Sequence, residues 1–141
     1  MFAECLYDVD FAEWSARTAD LIRSGRFNEI DAGNVAEEIE DLGKSERAVV
    51  WSRLNRLLLP KIKQTIQPER DCASWRVSIE SARQAIRQRI KFSPSLRPYL
   101  ERNLQEIYQE AIELALIETG LEHAAVPAEC HWDLDTLLAP R

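Results

Sequence analysis

The chain has 141 residues, of which 45% are hydrophobic and 30% charged, and its formal net charge is −6. These values are typical of a globular protein and exclude a fibre or a disordered chain. Its four glycines and six prolines are too few for the turns of a β-sandwich or barrel. We therefore expect one α-helical domain over residues 1–141, an all-α bundle of about four main helices.

The first two predicted helices lie in the N-terminal half of the chain, where apolar residues recur at helical spacing. One runs from about residue 10 to 24, and Gly25 is a natural stop. The other starts at Asp31 or Asn34, since Asn34 and the acid three residues later have the spacing of a capping box. Its apolar pattern continues to about residue 66.

Two residues interrupt the pattern of this long second helix. Gly43 costs about 1 kcal/mol inside a helix. Pro60 has no N–H to donate, and its ring clashes with the carbonyl of Arg56. We therefore expect either one long helix with a kink or break between Arg56 and Pro60, or a break near residues 42–45.

Two more long helices and a short one are predicted in the C-terminal half. The third spans about residues 74–91, and the fourth begins with Ser93 as N-cap and Pro94 at the first position. The fourth ends near Gly120, and the tail after it has a short helical pattern at residues 133–138. The apolar stripes are Trp75, Ile79, Ala82, Ile86 and Ile90 on the third helix and Leu96, Leu100, Leu104, Ile107, Ala111 and Leu114 on the fourth.

Charge is divided into three blocks along the chain. The net charge is −8 for residues 1–46, +9 for 47–102 and −7 for 103–141. Such blocks indicate either an open basic surface or segments that neutralise one another on folding. In an antiparallel hairpin of the third and fourth helices, neutralisation would place Arg76, Arg83 and Arg87 near Glu113, Glu106 and Glu101, respectively.

The acidic run from Glu37 to Asp41 is a candidate metal site. On a helix, Glu37 lies one turn from both Glu40 and Asp41, close enough to share a divalent cation. The candidate ligands on this helix are Glu37, Glu38 and Asp41. The run resembles one half-motif of the MazG-type all-α nucleotide pyrophosphohydrolases, although its last position differs. That resemblance implies a second acidic pair on a later helix, for which Glu110 and Glu113 are the best match. Solvated acids near a helix N-terminus are the structural alternative.

A basic stripe on the third helix is a candidate nucleic-acid surface. Arg83, Arg87 and Lys91 follow one another at spacings of four residues. Trp51 and Trp75 occupy apolar-stripe positions, so we expect them in the core and not against bases. The flanking acidic blocks also repel phosphate. We therefore do not expect the protein to bind nucleic acid.

The cysteines, two missing catalytic motifs and the hydropathy argue against several other classes of protein. Cys5, Cys72 and Cys130 are widely spaced without a C-x-x-C pair, which predicts free thiols in a reducing compartment. A nucleophile elbow and a glycine-rich phosphate loop are both missing. The longest apolar run, residues 57–60, is far too short to span a membrane, and the N-terminus lacks the pattern of a signal peptide. We expect a cytoplasmic protein without membrane contact and without a cofactor, unless the acidic run binds Mg²⁺.

A series of ordered motifs covers nearly the whole chain. They are Tyr7-Asp8-x-Asp10-Phe11-x-x-Trp14, Gly25-Arg26-Phe27-x-x-x-Asp31-x-x-Asn34-x-x-Glu37-Glu38-Ile39-Glu40-Asp41-Leu42-Gly43, Ser45-Glu46-Arg47, Ser52-Arg53-Leu54, Gln67-Pro68-Glu69-Arg70, Ser74-Trp75, Ser93-Pro94-Ser95-Leu96-Arg97 and Glu118-Thr119-Gly120-Leu121. Together they resemble the bacterial family labelled domain of unknown function twenty-nine. The resemblance implies a small, stand-alone α-helical protein with no established activity. Pro60 stands where that family often has a histidine.

The family pattern concentrates polar residues around the start of the long helix. A functional cluster would draw on Asp10, Asn34, Glu37, Glu38, Ser52, Arg53, Gln67, Trp75 and Arg83. Structural roles suit several of these residues: Asn34 as a cap, Trp75 in the core and Arg53 or Arg83 against carboxylates.

Three functions are therefore open. The first is a non-enzymatic protein-interaction or regulatory module with an unidentified protein partner. The second is a Mg²⁺-dependent nucleotide pyrophosphohydrolase that uses the acidic run. The third is a nucleic-acid-binding protein that uses the basic stripe.

Overall fold

The computed structural model describes residues 5–140, and helices make up most of this part of the chain. The α-helices are α1 (Leu6–Val9), α2 (Phe11–Arg23), α3 (Ala32–Ile66), α4 (Ala73–Phe92), α5 (Leu96–Thr119) and α6 (Leu134–Leu138). Single 3₁₀ turns lie at Phe27–Glu29, Pro68–Arg70 and His123–Ala125. No strand occurs between residues 5 and 140, and the predicted all-α class is confirmed. None of the described helices is both long and apolar enough to cross a membrane.

The chain divides into two compact units, and the boundary falls inside α3. The first unit ends at Ser45 and the second begins at Glu46. The single domain over residues 1–141 stays a prediction.

In the first unit, α2 begins and ends with standard capping contacts. The carboxylate of Asp10 accepts the backbone N–H of Glu13 at 3.0 Å and caps the N-terminus. At the C-terminus, the N–H of Arg26 bonds to the carbonyl of Leu21, and Gly25 has φ +74°. This is a Schellman motif, and it confirms the predicted stop.

Helix α3 is continuous through both interruptions that the sequence contains. Gly43 and Pro60 both lie within the helix, so a break near residues 42–45 and a break between Arg56 and Pro60 are both wrong, whereas a bend at Pro60 stays a prediction. Pro60 removes one backbone donor from the helix, and its ring is buried in the part of α3 that also carries Leu54, Leu57 and other core residues. Tertiary packing therefore outweighs local propensity here.

The N-cap of α3 is Asp31 and not Asn34. One carboxylate oxygen of Asp31 accepts the backbone N–H of Asn34 at 3.2 Å, and the other accepts its side-chain amide at 2.7 Å. Asn34 thus occupies the third helical position, where a capping box usually has Glu or Gln.

The second unit encloses a hydrophobic core. The later half of α3 contributes Val50, Leu54, Leu57, Leu58 and Ile62, while α4 contributes Ile79, Ala82 and Ile86. The predicted stripe on α5 is buried at Leu96, Leu100, Ile107 and Ala111, whereas Leu114 is exposed. The short helix α6 adds Leu134, Leu137 and Leu138, so the C-terminal tail is part of the core.

Helix α5 begins two residues later than predicted. Ser95 is its N-cap, and Ser93 and Pro94 form a turn whose carbonyls accept the N–H groups of Leu96 and Arg97. Its end at Gly120 is as predicted, with a left-handed φ of +71°.

The segment between α5 and α6 is held to α5 by side-chain hydrogen bonds. Gln105 accepts the N–H of Cys130 at 2.8 Å and donates to the carbonyl of Ala128 at 3.0 Å. Gln109 donates to the same carbonyl, and the hydroxyl of Tyr108 donates to Pro127. These contacts satisfy backbone groups that lack a helical partner.

The ion pairs differ from those predicted between the third and fourth helices. Arg76 pairs with Asp71 at 2.9 Å, and Arg83 pairs with Glu80 of its own helix at 2.7 Å. The predicted cross-helix pairing is therefore wrong for these two arginines. Basic residues of the block 47–102 instead form ion pairs with acidic residues of the two flanking blocks. These pairs are Lys63–Glu118, Arg89–Glu46 and Arg97–Asp135.

Candidate functional site

Asp10 and Asn34 of the predicted polar cluster belong to the first unit, and Ser52 and Gln67 belong to the second. Asp10 and Asn34 belong to the two helix caps described above. Gln67 is the N-cap of the 3₁₀ turn Pro68–Arg70, and Ser52 is exposed on α3. Local structure accounts for Asp10, Asn34 and Gln67, and a functional cluster that includes these residues stays a prediction.

Arg83 anchors α6 and is not part of an open basic surface. Its Nε donates to the carbonyl of Leu137 at 3.0 Å, and its Nη1 donates to Glu80. Only 11% of its side chain is exposed. Burial, with a contribution from the Arg83 charge, lowers the pKa of the neighbouring Lys61. Arg83 is therefore unsuited to the phosphate contacts that the basic stripe predicted.

The five acids of the predicted metal site are divided between the two units. Glu37, Glu38 and Asp41 lie on α3 in the first unit, while Glu110 and Glu113 lie on α5 in the second. Glu110 accepts the indole N–H of Trp51 at 2.7 Å, and Glu113 contacts His123 at 2.8 Å. Within residues 5–140, no group of three or more acidic, histidine or cysteine side chains is arranged to hold a metal ion. A Mg²⁺ site stays a prediction.

An aromatic cluster contacts Glu38 in the first unit. The rings of Tyr7, Phe11 and Trp14 pack at centroid distances of 4.8 to 5.7 Å. The Tyr7 hydroxyl donates to Glu38 at 2.5 Å. This bond, followed by partial desolvation and the nearby carboxylates, raises the pKa of Tyr7 to about 12. Glu38 thus holds the aromatic cluster beside α3.

The early part of α3 carries an apolar stripe that is largely exposed. Val35, Ile39 and Leu42 are spaced by four and three residues and share one side of the helix. Ile39 is 64% exposed and Leu42 is 70% exposed, whereas Val35 is half-buried. The first buried residue of α3 is Val50. We call these three residues the α3 stripe.

The first unit exposes other large apolar side chains as well. Its buried residues within the described range are Trp14 and Thr18. The additional exposed apolar side chains are Val9, Phe11, Ile22 and Phe27. Exposed apolar side chains mark an interaction site where they form one continuous patch, as residues on a single side of a helix do.

A groove in the second unit brings together Arg53 and Trp75 of the predicted polar cluster. It lies between α3 and α4, has a volume of about 490 Å³ and also contains Arg56 and Lys63. The prediction of Trp75 as a core residue is wrong, because its ring is half-buried and lines this groove. We call this feature the basic groove.

The sequence patterns did not bring Arg56, Lys63 and the serines of the basic groove together as one site. The available signal was the combination of two helix faces: Arg53, Arg56 and Lys63 share a side of α3. This shared side of α3 becomes a groove because α4 packs along it, and the sequence does not reveal that packing.

The fold and these surfaces define a small all-α protein with an exposed apolar stripe and a separate basic groove. The chain belongs to the family described as Domain of unknown function DUF29, whose model matches residues 6–141. The resemblance seen in the sequence is thereby confirmed. No curated protein and no solved structure matches this chain.

Proposed function

We propose that the protein is a cytoplasmic bacterial protein-interaction module. Its docking element is the α3 stripe, and its partner is a protein with an apolar groove and a basic rim. The observation that carries this proposal is the exposure of Ile39 and Leu42 on a regular helix face. Helices with apolar residues at spacings of four and three residues are bound by apolar grooves in this manner.

Burial of the stripe supplies a driving force for association. Complete burial of an Ile or Leu side chain contributes about 1.5–3 kcal/mol relative to exposure. Ile39 and Leu42 supply most of the exposed surface of the stripe, and Val35 extends it by one turn.

Charge around the stripe indicates the chemistry of the partner. Glu37, Glu40 and Asp41 flank the apolar residues and are exposed. Residues 1–46 carry a net charge of −8. A basic rim on the partner would complement these carboxylates and accelerate association at low ionic strength. The predicted acidic run therefore fits the edge of an interface.

The cysteines support a cytoplasmic location. Cys5, Cys72 and Cys130 are free thiols, and the first two are exposed. Exposed free thiols persist in reducing compartments, whereas secreted proteins usually pair them.

The test compares Ile39→Asp with Ile117→Asp, a matched control at an exposed isoleucine on α5. Full-length wild type and both variants are used to capture proteins from a lysate of the native host. Captured candidates are then purified and titrated against each variant. We expect Ile39→Asp to weaken binding of the specific partner by about 10-fold to 100-fold. The control should bind like wild type, and added salt should slow association.

Equal affinity of wild type and Ile39→Asp for every purified candidate would contradict the proposal. Sedimentation of the protein alone tests a second copy as the occupant. A dimer that dissociates on Ile39→Asp substitution would assign the stripe to self-association and would overturn the basic partner.

A further inference from the structure

The basic groove differs in charge from the protein around it. Its lining includes Arg53, Arg56 and Lys63 but no carboxylate, although the chain has a net charge of −6. Within residues 5–140, neither Arg53 nor Arg56 forms an ion pair with an acidic side chain. Two arginines are thus available to an anion, and guanidinium groups suit phosphate in particular.

Lys63 is positioned differently from the two arginines. Its ammonium group is 2.5 Å from a carboxylate oxygen of Glu118 and 5.1 Å from the ring centroid of Trp75. An anion in the groove would compete with Glu118 for this cation. Arg53 and Arg56 are therefore the principal anion contacts that the groove offers.

The α4 side of the groove adds hydroxyls and an aromatic ring. Ser74, Ser78 and Ser81 are spaced by four and three residues, lie on one side of α4 and are exposed. Each hydroxyl can donate to a phosphate oxygen or accept from a ligand N–H. Trp75 lies among them and is half-buried. Indole rings stack on planar bases, which contributes about 1–3 kcal/mol per base in single-strand-binding proteins.

We propose that the basic groove binds a nucleotide. Arg53 and Arg56 hold the phosphate together with the serine hydroxyls, and Trp75 packs against the base. The volume of about 490 Å³ lies within the range of small-molecule sites. The same chemistry is offered by a free nucleotide and by one nucleotide of a single strand, so the experiment includes both.

The experiment measures binding to the full chain by calorimetry and by fluorescence anisotropy. The probes are ATP, AMP, inorganic phosphate and a labelled single-stranded RNA of about six nucleotides. The variants are Arg53→Gln and Arg56→Gln. Arg47→Gln is the matched control, because Arg47 is exposed on the same helix and does not line the groove. Circular dichroism verifies that each variant is folded.

We expect saturable binding of at least one nucleotide probe. Each groove variant should weaken it by roughly 10-fold to 100-fold, as expected for the loss of a hydrogen bond to a charged group. Arg47→Gln should change the affinity by less than about twofold. Trp75→Leu should weaken binding of AMP more than binding of inorganic phosphate, because only AMP has a base to stack.

The outcomes separate the two sources of the ligand. Binding of ATP or AMP identifies a free nucleotide, and binding of RNA alone identifies a strand. The absence of saturable binding to ATP, AMP and RNA would overturn the proposal, and so would binding of inorganic phosphate alone. An equal loss of affinity in Arg47→Gln would also overturn it, since the attraction would then belong to the general charge of residues 47–102.

Discussion

The hydroxyl of Tyr7 and the carboxylate of Glu38 form a hydrogen bond that connects α1 to α3 in the first unit. The bond requires the neutral phenol as donor, so it raises the pKa of Tyr7 to about 12 from the ordinary value of 10.0. Its contribution to stability is therefore complete below about pH 10 and is lost as the pH rises through about 12.

An absorbance titration of tyrosinate tests this assignment. Burial also raises the pKa of Tyr108, so the Tyr7 signal is obtained as the difference between wild type and Tyr7→Phe. We expect a midpoint near pH 12 in wild type and a lower midpoint in Glu38→Gln, which removes the negative charge. An unchanged midpoint in Glu38→Gln would show that the contact with Glu38 does not raise the pKa of the Tyr7 hydroxyl.

At the scale of single residues, the sequence predicts the helix caps in part. It places Asp31 or Asn34 at the start of the long helix, and both take part in the cap, whereas the N-cap of α5 is Ser95 and not the predicted Ser93. Trp75 was assigned to the core because its position continues an apolar stripe. The stripe ends at the edge of the core, where a large ring becomes half-buried, and spacing alone does not reveal that edge.

Among the elements, Pro60 leads to a prediction about α3. The carbonyl of Arg56 has no N–H donor four residues later, because proline lacks one. In Pro60→Ala, the gain in helix propensity is about 3 kcal/mol. The loss of two buried methylene groups costs about 1.6 kcal/mol. We expect a net stabilisation of about 1 kcal/mol, measured by urea unfolding.

Leu58→Ala serves as a control that should change the stability in the opposite direction. Leu58 is fully buried on the same helix, and its truncation should destabilise the second unit by about 2–5 kcal/mol. Destabilisation by Pro60→Ala would mean that the ring contributes more through packing than it costs in hydrogen bonding.

The long elements were largely predictable because each has a regular apolar stripe and a defined end. The observed bounds of α2 and α4 lie within one residue of the predicted bounds. Helix α1 was missed, since four residues are too few to show a period. The basic groove was also missed, because it depends on which sides of α3 and α4 come together.

For the molecule as a whole, burial is distributed unequally along the continuous helix α3. The residues from Ala32 to Val49 include none that is buried, whereas Val50, Leu54 and Leu57 are fully buried. Amide exchange depends on local opening, which is easier where few apolar contacts are lost. We expect amides at residues 35–45 to exchange at least about 100-fold faster than those at residues 54–62.

Hydrogen–deuterium exchange, read by mass spectrometry of overlapping peptides, measures this difference in rate along α3. Residues 107–112 of α5, most of which are buried, serve as the protected reference. Uniform protection along α3 would contradict the expectation. Binding of the proposed partner should then protect residues 35–45 selectively, so the same experiment also locates the interface.

Gln105 has a consequence for sequence variation among relatives of this protein. Its amide accepts from Cys130 and donates to Ala128 at the same time. Gln109 donates to the same carbonyl, so the acceptor for the Cys130 N–H is the contact that Gln105 alone provides. Glutamate keeps that acceptor, whereas lysine cannot accept and asparagine is one methylene shorter. Where relatives are compared, position 105 should therefore vary between glutamine and glutamate, and other residues there should coincide with insertions or deletions between residues 120 and 133.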